Sequence, residues 1–192
     1  MGTTNGKVPG RVKYTFAFGA LGKDLIYGMM ATFAMIYFTD VLKVSPGFVG
    51  IVFFVAKLWD AFNDPMIGSL PDRWQIGKSG DKFKPYIRIA MIPLAVSGLL
   101  CFTDVSSFGS VAKHVWVAVA YIFYGMSYTG TSMPYGSMAS VITNDPIERT
   151  KLSRARSIGG TIVGIGGLSL VPQFIFNKAG DVAPSGFMKV AI

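Results

Sequence analysis

The stretch Lys57-Leu58-Trp59-Asp60-Ala61-Phe62-Asn63-Asp64-Pro65 sets three charges and a carboxamide inside an apolar segment long enough to cross a membrane. An ionised side chain near mid-bilayer costs from about 2.5 kcal/mol to much more, so such groups persist where they pair or line a wet cavity. At about 100° per residue, Lys57, Asp60 and Asp64 fall within an arc of about 60° on one helix face, with Asn63 beside them. The spacing predicts one polar cluster on an ion or substrate path, with Lys57 balancing its charge.

Composition agrees with a membrane setting. Hydrophobic residues make up 51% of the chain and charged ones only 15%. A net charge of +8 would suggest nucleic acid for a soluble domain, but here topology places the basic residues and no nucleic-acid partner is expected. The single cysteine, Cys101, excludes an intrachain disulfide and a cysteine zinc site, and reads as a small packed side chain. His114 has no candidate co-ligand near it in the sequence and receives no role.

The expected architecture is all-α: a cytoplasmic tail over residues 1–13, then a helical bundle over 14–192. Apolar character from Tyr14 to Asp40 lasts too long for a signal peptide and predicts a first span. Lys23-Asp24 lies about 15 Å into it at 1.5 Å per residue, which makes Asp24 a second site candidate, or a structural partner of Lys23 or Lys57. Further spans are expected at Gly47–Leu70, ended by Pro71-Asp72-Arg73, and at Tyr86–Phe102, Val115–Val141 and Ile158–Phe176. The last carries Gly159, Gly160, Gly164, Gly166 and Gly167, a small-residue face that admits another helix closely. Five spans are complete, and Phe187–Ile192 can begin a sixth.

Lysine and arginine set the orientation. The tail (Lys7, Arg11, Lys13), the loop after span two (Arg73, Lys78, Lys82, Lys84, Arg88, with turn signals at Gly77, Gly80 and Pro85) and the charged segment Thr143–Arg156 lie on one side. The other side has Lys43, Lys113, Lys178 and Lys189, so the N-terminus is expected in the cytoplasm of a multi-pass cell-membrane protein. Lys23 and Lys57 belong to neither set.

Around Pro134 the fourth span offers Tyr121, Tyr124, Ser127, Tyr128, Thr129, Thr131, Ser132, Tyr135 and Ser137. Aromatic rings with hydroxyls suit a sugar, whose ring face stacks while its hydroxyls hydrogen-bond; the same groups also serve helix packing. Aspartates at i and i+4 can turn their oxygens towards one cation, with Asn63 as a neutral ligand. Deprived of it, like charges this close favour protonation of one, so a proton can serve instead. This is the chemistry of a coupling ion, Na⁺, Li⁺ or H⁺, and no further cofactor or metal is expected.

Gly22-Lys23-Asp24, then Trp59 to Pro65 with Gly68 and Asp72-Arg73, then Lys82-Phe83-Lys84-Pro85-Tyr86 resemble the glycoside–pentoside–hexuronide:cation symporters. These form the branch of the major facilitator superfamily that includes melibiose permease. Tyr128-Thr129, Pro134-Tyr135-Gly136-Ser137 and Glu148-Arg149 with Leu152 and Arg156 extend the resemblance. It implies a cation site of Asp60, Asn63, Asp64 and Thr129, and sugar contacts from Lys23, Asp24, Tyr128 and Arg156. Ser132 stands where melibiose-type members have an acidic sugar ligand, and Gly136 where they have tryptophan. Pro-Tyr-Gly-Ser is more similar to the pentoside and hexuronide members.

The resemblance implies two six-helix halves around a cavity, so 192 residues correspond to an N-terminal half whose C-terminal half is expected as a partner, beside lipid and a small sugar or glycoside. The expected function is cation-coupled symport by the whole protein, not catalysis. Two other readings are an inactive fragment or non-transporting sugar sensor, and an intramembrane prenyltransferase holding Mg²⁺ on Asp60 and Asp64. The latter needs a second acidic cluster, whereas the carboxylates Asp72, Asp81, Asp104, Asp145, Glu148 and Asp181 fall in expected loops.

Overall fold

A computed structural model describes residues 7–74, 76, 83–176 and 184–191. Lys78, Lys82, Gly77, Gly80, Lys178, Asp81 and Asp181, named above, lie outside the described residues. Helix α1 runs Gly10–Ile36 and widens into a π-helical turn, Tyr37–Val41. It therefore begins inside the expected tail. A left-handed Lys43, at φ 56°, turns the chain, and the Val44 amide donates to the Phe38 carbonyl at 3.0 Å. Ser45 then caps α2, Pro46–Arg73, with Pro46 in its first turn, where no intrahelical donor is needed.

Helix α2 overruns its expected end, because Pro71 is accommodated within the last turn. Carbonyls at this end of the helix find donors. The Trp74 amide reaches the Leu70 carbonyl at 2.9 Å, and the Tyr86 hydroxyl from the next helix donates to the Leu70 and Trp74 carbonyls. Helix α3 is Lys84–Cys101 and α4 is Ser110–Ile142.

The largest correction concerns Thr143–Arg156, expected as a charged loop. Helix α5 starts at Pro146 and runs to Ile162, so most of that segment is the helix's polar first half. Asp145 accepts the Ile147 amide at 2.9 Å as the cap, and Thr143 Oγ1 accepts the Asp145 amide at 3.2 Å. Arg149 Nε donates to the Thr143 carbonyl at 3.0 Å, joining the end of α4 to the start of α5. Beyond Ile162 the glycine-rich Val163–Gly167 forms a second π-helical turn, followed by α6, Pro172–Ile175, and α7, Pro184–Ala191.

Helix α4 packs between α2 and α3, and α1 lies along α5. The α1–α5 seam is close because glycines line it: a Cβ on Gly159 would sit 3.2 Å from Leu21 Cδ2, and one on Gly167 3.2 Å from Leu25 Cδ1. Two apolar clusters hold the bundle. One gathers Tyr37, Phe38, Phe102, Val117 and Phe187 at one end; the other gathers Val8, Phe16, Ala20, Tyr135 and Leu152 at the opposite end. Phe54, Phe62, Ile92, Val111 and Ile165 point outward, as lipid-facing side chains do.

Helix α3 and the stretch Pro146–Ile175 are long and apolar enough to cross a membrane uninterrupted. Helices α1, α2 and α4, of 27, 28 and 33 residues, exceed the roughly 20 needed to span, but polar groups break their apolar runs. Those three are the helices that carry most of the site candidates.

Candidate functional site

On α1, the Lys23 ammonium meets Asp24 Oδ1 at 2.5 Å, which settles the partner of Asp24 in favour of Lys23 over Lys57. Lys23 is buried, and its Nζ lies 5.7 Å from the centre of the Tyr128 ring and 5.5 Å from that of Tyr135, both on α4. Arg156 approaches from α5, its guanidinium carbon 5.8 Å from the Tyr135 ring. Gly160 of α5 faces Asp24: a Cβ there would be in ordinary contact, 3.7 Å from Asp24 Oδ2. Ser132 follows Tyr128 by one turn on α4 and is partly exposed. Lys23, Asp24, Tyr128 and Arg156 thus converge from three helices.

The polar face of α2 divides in a way its spacing does not reveal. Lys57 Nζ bonds Asp60 Oδ2 at 3.0 Å with the lysine side chain 66% exposed, so this pair stands at the mouth of the site. One turn further along, Asp64 also faces α4 and accepts the Thr129 hydroxyl at 2.8 Å. Asn63 is buried, and its amide nitrogen has no hydrogen-bond partner among the described residues. Such a group carries a desolvation cost of about 1–3 kcal/mol until a partner arrives. Gly125 on α4 faces Asp60: a Cβ there would lie in ordinary contact, 3.5 Å from Asp60 Oδ1.

Tyr128 and Thr129 are neighbours on α4, so one backbone step joins the cluster around Lys23 to the cluster around Asp64. Tyr27 stacks on Tyr128, ring centres 5.0 Å apart, and lines a cavity of about 200 Å³ with Phe53, Lys57, Asp60, Tyr124 and Tyr128. A larger crevice of about 430 Å³ between α1, α3 and the turn before α6 is lined by Leu25, Ile26, Leu99, Phe102 and Val171 and holds none of these charged groups. Among the described residues, no three His, Cys, Asp or Glu side chains converge as a metal-binding group.

Two residues gain roles that the sequence reading did not assign. Glu148, 1% exposed, accepts the Val8 amide at 3.1 Å, Lys13 at 2.7 Å and Lys151 at 2.7 Å. Lys13 and then Lys151 hold its carboxyl well below the usual range, to about 2, against a smaller opposing effect of burial. The signal was present as Asp145-x-x-Glu148, a capping-box spacing. Thr143 takes the amide that a capping-box glutamate would claim, which leaves Glu148 free to reach the tail. Tyr135, the second, lies beneath both Lys23 and Arg156.

The family described as MFS/sugar transport protein matches residues 15–192. An uncharacterised symporter of Bacillus subtilis, YjmB, is 32% identical over 173 residues, covering 88% of this chain and 37% of the relative. The isoprimeverose transporter of Lactiplantibacillus pentosus is 34% identical over 175 residues, 87% of this chain and 35% of its own length. A glucuronide carrier protein homolog of Escherichia coli is 27% identical over 164 residues, 85% and 35% respectively. The chain thus spans little more than a third of the length of these relatives.

Proposed function

The chain belongs to the MFS/sugar transport protein family, and from that premise we propose that it forms the N-terminal helical half of a cation-coupled symporter for a glycoside, pentoside or hexuronide. It is a multi-pass membrane protein of a transporter family and not an enzyme. The relatives' printed names, an isoprimeverose transporter and a glucuronide carrier homolog, supply the substrate classes to try first.

In this reading Asp60, Asn63, Asp64 and Thr129 hold the coupling ion, Na⁺, Li⁺ or H⁺, and Lys57 balances Asp60. Lys23, Asp24, Tyr128, Ser132 and Arg156 meet the sugar, with Asp24 and Arg156 forming charge-assisted bonds to its hydroxyls. The N-terminus lies in the cytoplasm, where the basic tail and the polar start of α5 favour it. The other half of the transporter closes the cavity and rocks against this bundle, within lipid.

The observation that carries the proposal is the state of Asp64 and Asn63. Among the described residues the Asp64 carboxylate at the α2–α4 interface accepts one hydroxyl; beside it Asn63 is buried, its unpartnered nitrogen being a donor, so its carboxamide oxygen is the atom that would meet a cation. Carboxylate oxygens offer about four acceptor positions, so Asp64 keeps capacity for a cation or proton. Loading that position changes the charge next to Thr129, one residue from the ring that would face the sugar.

Uptake of labelled isoprimeverose and of a methyl glucuronide, measured in vesicles containing the intact native protein, tests this. An imposed Na⁺, Li⁺ or H⁺ gradient should drive accumulation of one of them. Flux that merely equilibrates, whatever the gradient, would remove the coupling; no uptake of either sugar would remove the substrate assignment.

A further inference from the structure

We infer that Tyr135 is a positioning residue of the sugar site, its ring setting the separation of Lys23 and Arg156; this rests on the sugar-site reading above. Tyr135 is 4% exposed and stacks on Phe16, ring centres 4.8 Å apart and planes 20° from parallel. Its hydroxyl donates to the Phe16 carbonyl, so the phenol is anchored to α1 at its far end and to α4 at its root. The ring accepts two cations, Lys23 Nζ at 5.5 Å and the Arg156 guanidinium at 5.8 Å. Tyr128 is also near Lys23, at 5.7 Å, but among the described residues Tyr135 is the ring that engages both.

Two cations brought together in a low-dielectric bundle repel, and the negative face of an aromatic ring offsets part of that repulsion. Tyr135 therefore holds together the basic groups that α1 and α5 present to a sugar. Helix α1 is shaped to allow it. Phe16, Gly19, Ala20 and Lys23 share one helix face at i, i+3, i+4 and i+7, and Gly19 leaves the space that the phenol occupies. A Cβ on Gly19 would sit 3.0 Å from the Tyr135 hydroxyl and 3.5 Å from its ring carbon Cε2.

The test uses the intact native protein in vesicles, with whichever of isoprimeverose or methyl glucuronide it accumulates, and reads sugar and cation half-saturation separately. Tyr135→Leu should raise the sugar value about tenfold, a scale two desolvated cation–π contacts support, and leave the cation value unchanged. Tyr135→Phe keeps the ring and should stay within about twofold. Gly19→Ala should push the phenol aside and raise the sugar value, and Gly19→Ala with Tyr135→Phe should bring it back, since the crowded hydroxyl is gone. That pair decides the matter if Tyr135→Leu fails to fold. Asp24→Asn, run in parallel, separates the two hypotheses. If it weakens sugar binding while Gly19→Ala and Tyr135→Leu do not, the positioning role is wrong and the site stands. If Asp24→Asn also has no effect, the sugar site itself is misplaced and the inference falls with it. Equal shifts in sugar and cation values would mark Tyr135 as general packing and overturn the role.

Discussion

Glu148 and Asp64 are both carboxylates inside the bundle, and they are supplied very differently. Glu148 receives a backbone amide and two ammonium groups, and its titration is driven far down as a result. Asp64 receives a single hydroxyl, beside a carboxamide whose nitrogen is unpartnered. Three donors, two of them ammonium groups, mark Glu148 as a fastening whose charge is already balanced. Under-supply leaves Asp64 with acceptor positions to spare, which is what the proposed coupling-ion role requires. A buried acid in a membrane bundle is thus read better from its count of donors than from its burial.

The sharpest way to break this contrast is Asp64→Asn. Removing the receiving charge should cut cation-driven uptake about hundredfold or more, the scale seen when one member of a buried charged pair is lost, while some sugar binding persists. Normal cation dependence in that variant would end the distinction between the two acids.

Glu148→Ala should leave both half-saturation values alone and lower the thermal midpoint of the detergent-extracted protein, since the Val8 amide and Lys13 lose their acceptor. The pH dependence sharpens the point. With its folded value near 2 and its ordinary value near 4.5, Glu148 contributes stability that is fully present above pH 4.5 and lost as pH falls towards 2. The stability gap between wild type and Glu148→Gln should therefore be flat from pH 5 to 7 and close on acidification. A gap that widened with acid would contradict the fastening.

Lys57→Gln should have the smallest effect. Its ion pair with Asp60 is largely solvated on the lysine side, so cation half-saturation should move by no more than about fivefold. A hundredfold change would mean that Lys57 belongs to the interior of the ion site.

Much of this was legible because a membrane makes polar residues conspicuous. Asp60, Asn63 and Asp64 stand out against their apolar surroundings, and periodicity alone puts the two aspartates on one face. Periodicity does not say which neighbour each will find. That Lys57 leans outward while Asp60 lies beside Gly125 and Asp64 bonds Thr129 depends on where α4 lies, the last contact being 65 residues away in the chain. The start of α5 was misread for another reason. Its charges count towards topology whether they lie in a loop or on a helix that protrudes from the membrane, and only the Asp145 cap separates the two cases. Tyr135 was named among the polar residues around Pro134 but given no separate role, because its place in the site depends on a gap left by Gly19 on a different helix.

The Glu148 fastening also bears on biosynthesis. Val8 and its acceptor are 140 residues apart, and at roughly 5–20 residues per second a ribosome needs roughly 7–28 s to make the intervening chain. Through that interval the first helix is already in the bilayer without the contact that will hold its entrance. The Lys23–Asp24 pair, formed between adjacent residues, is complete as soon as both are made. The nascent helix can therefore neutralise its deepest charges from the outset, and it gains its anchor only when α5 emerges.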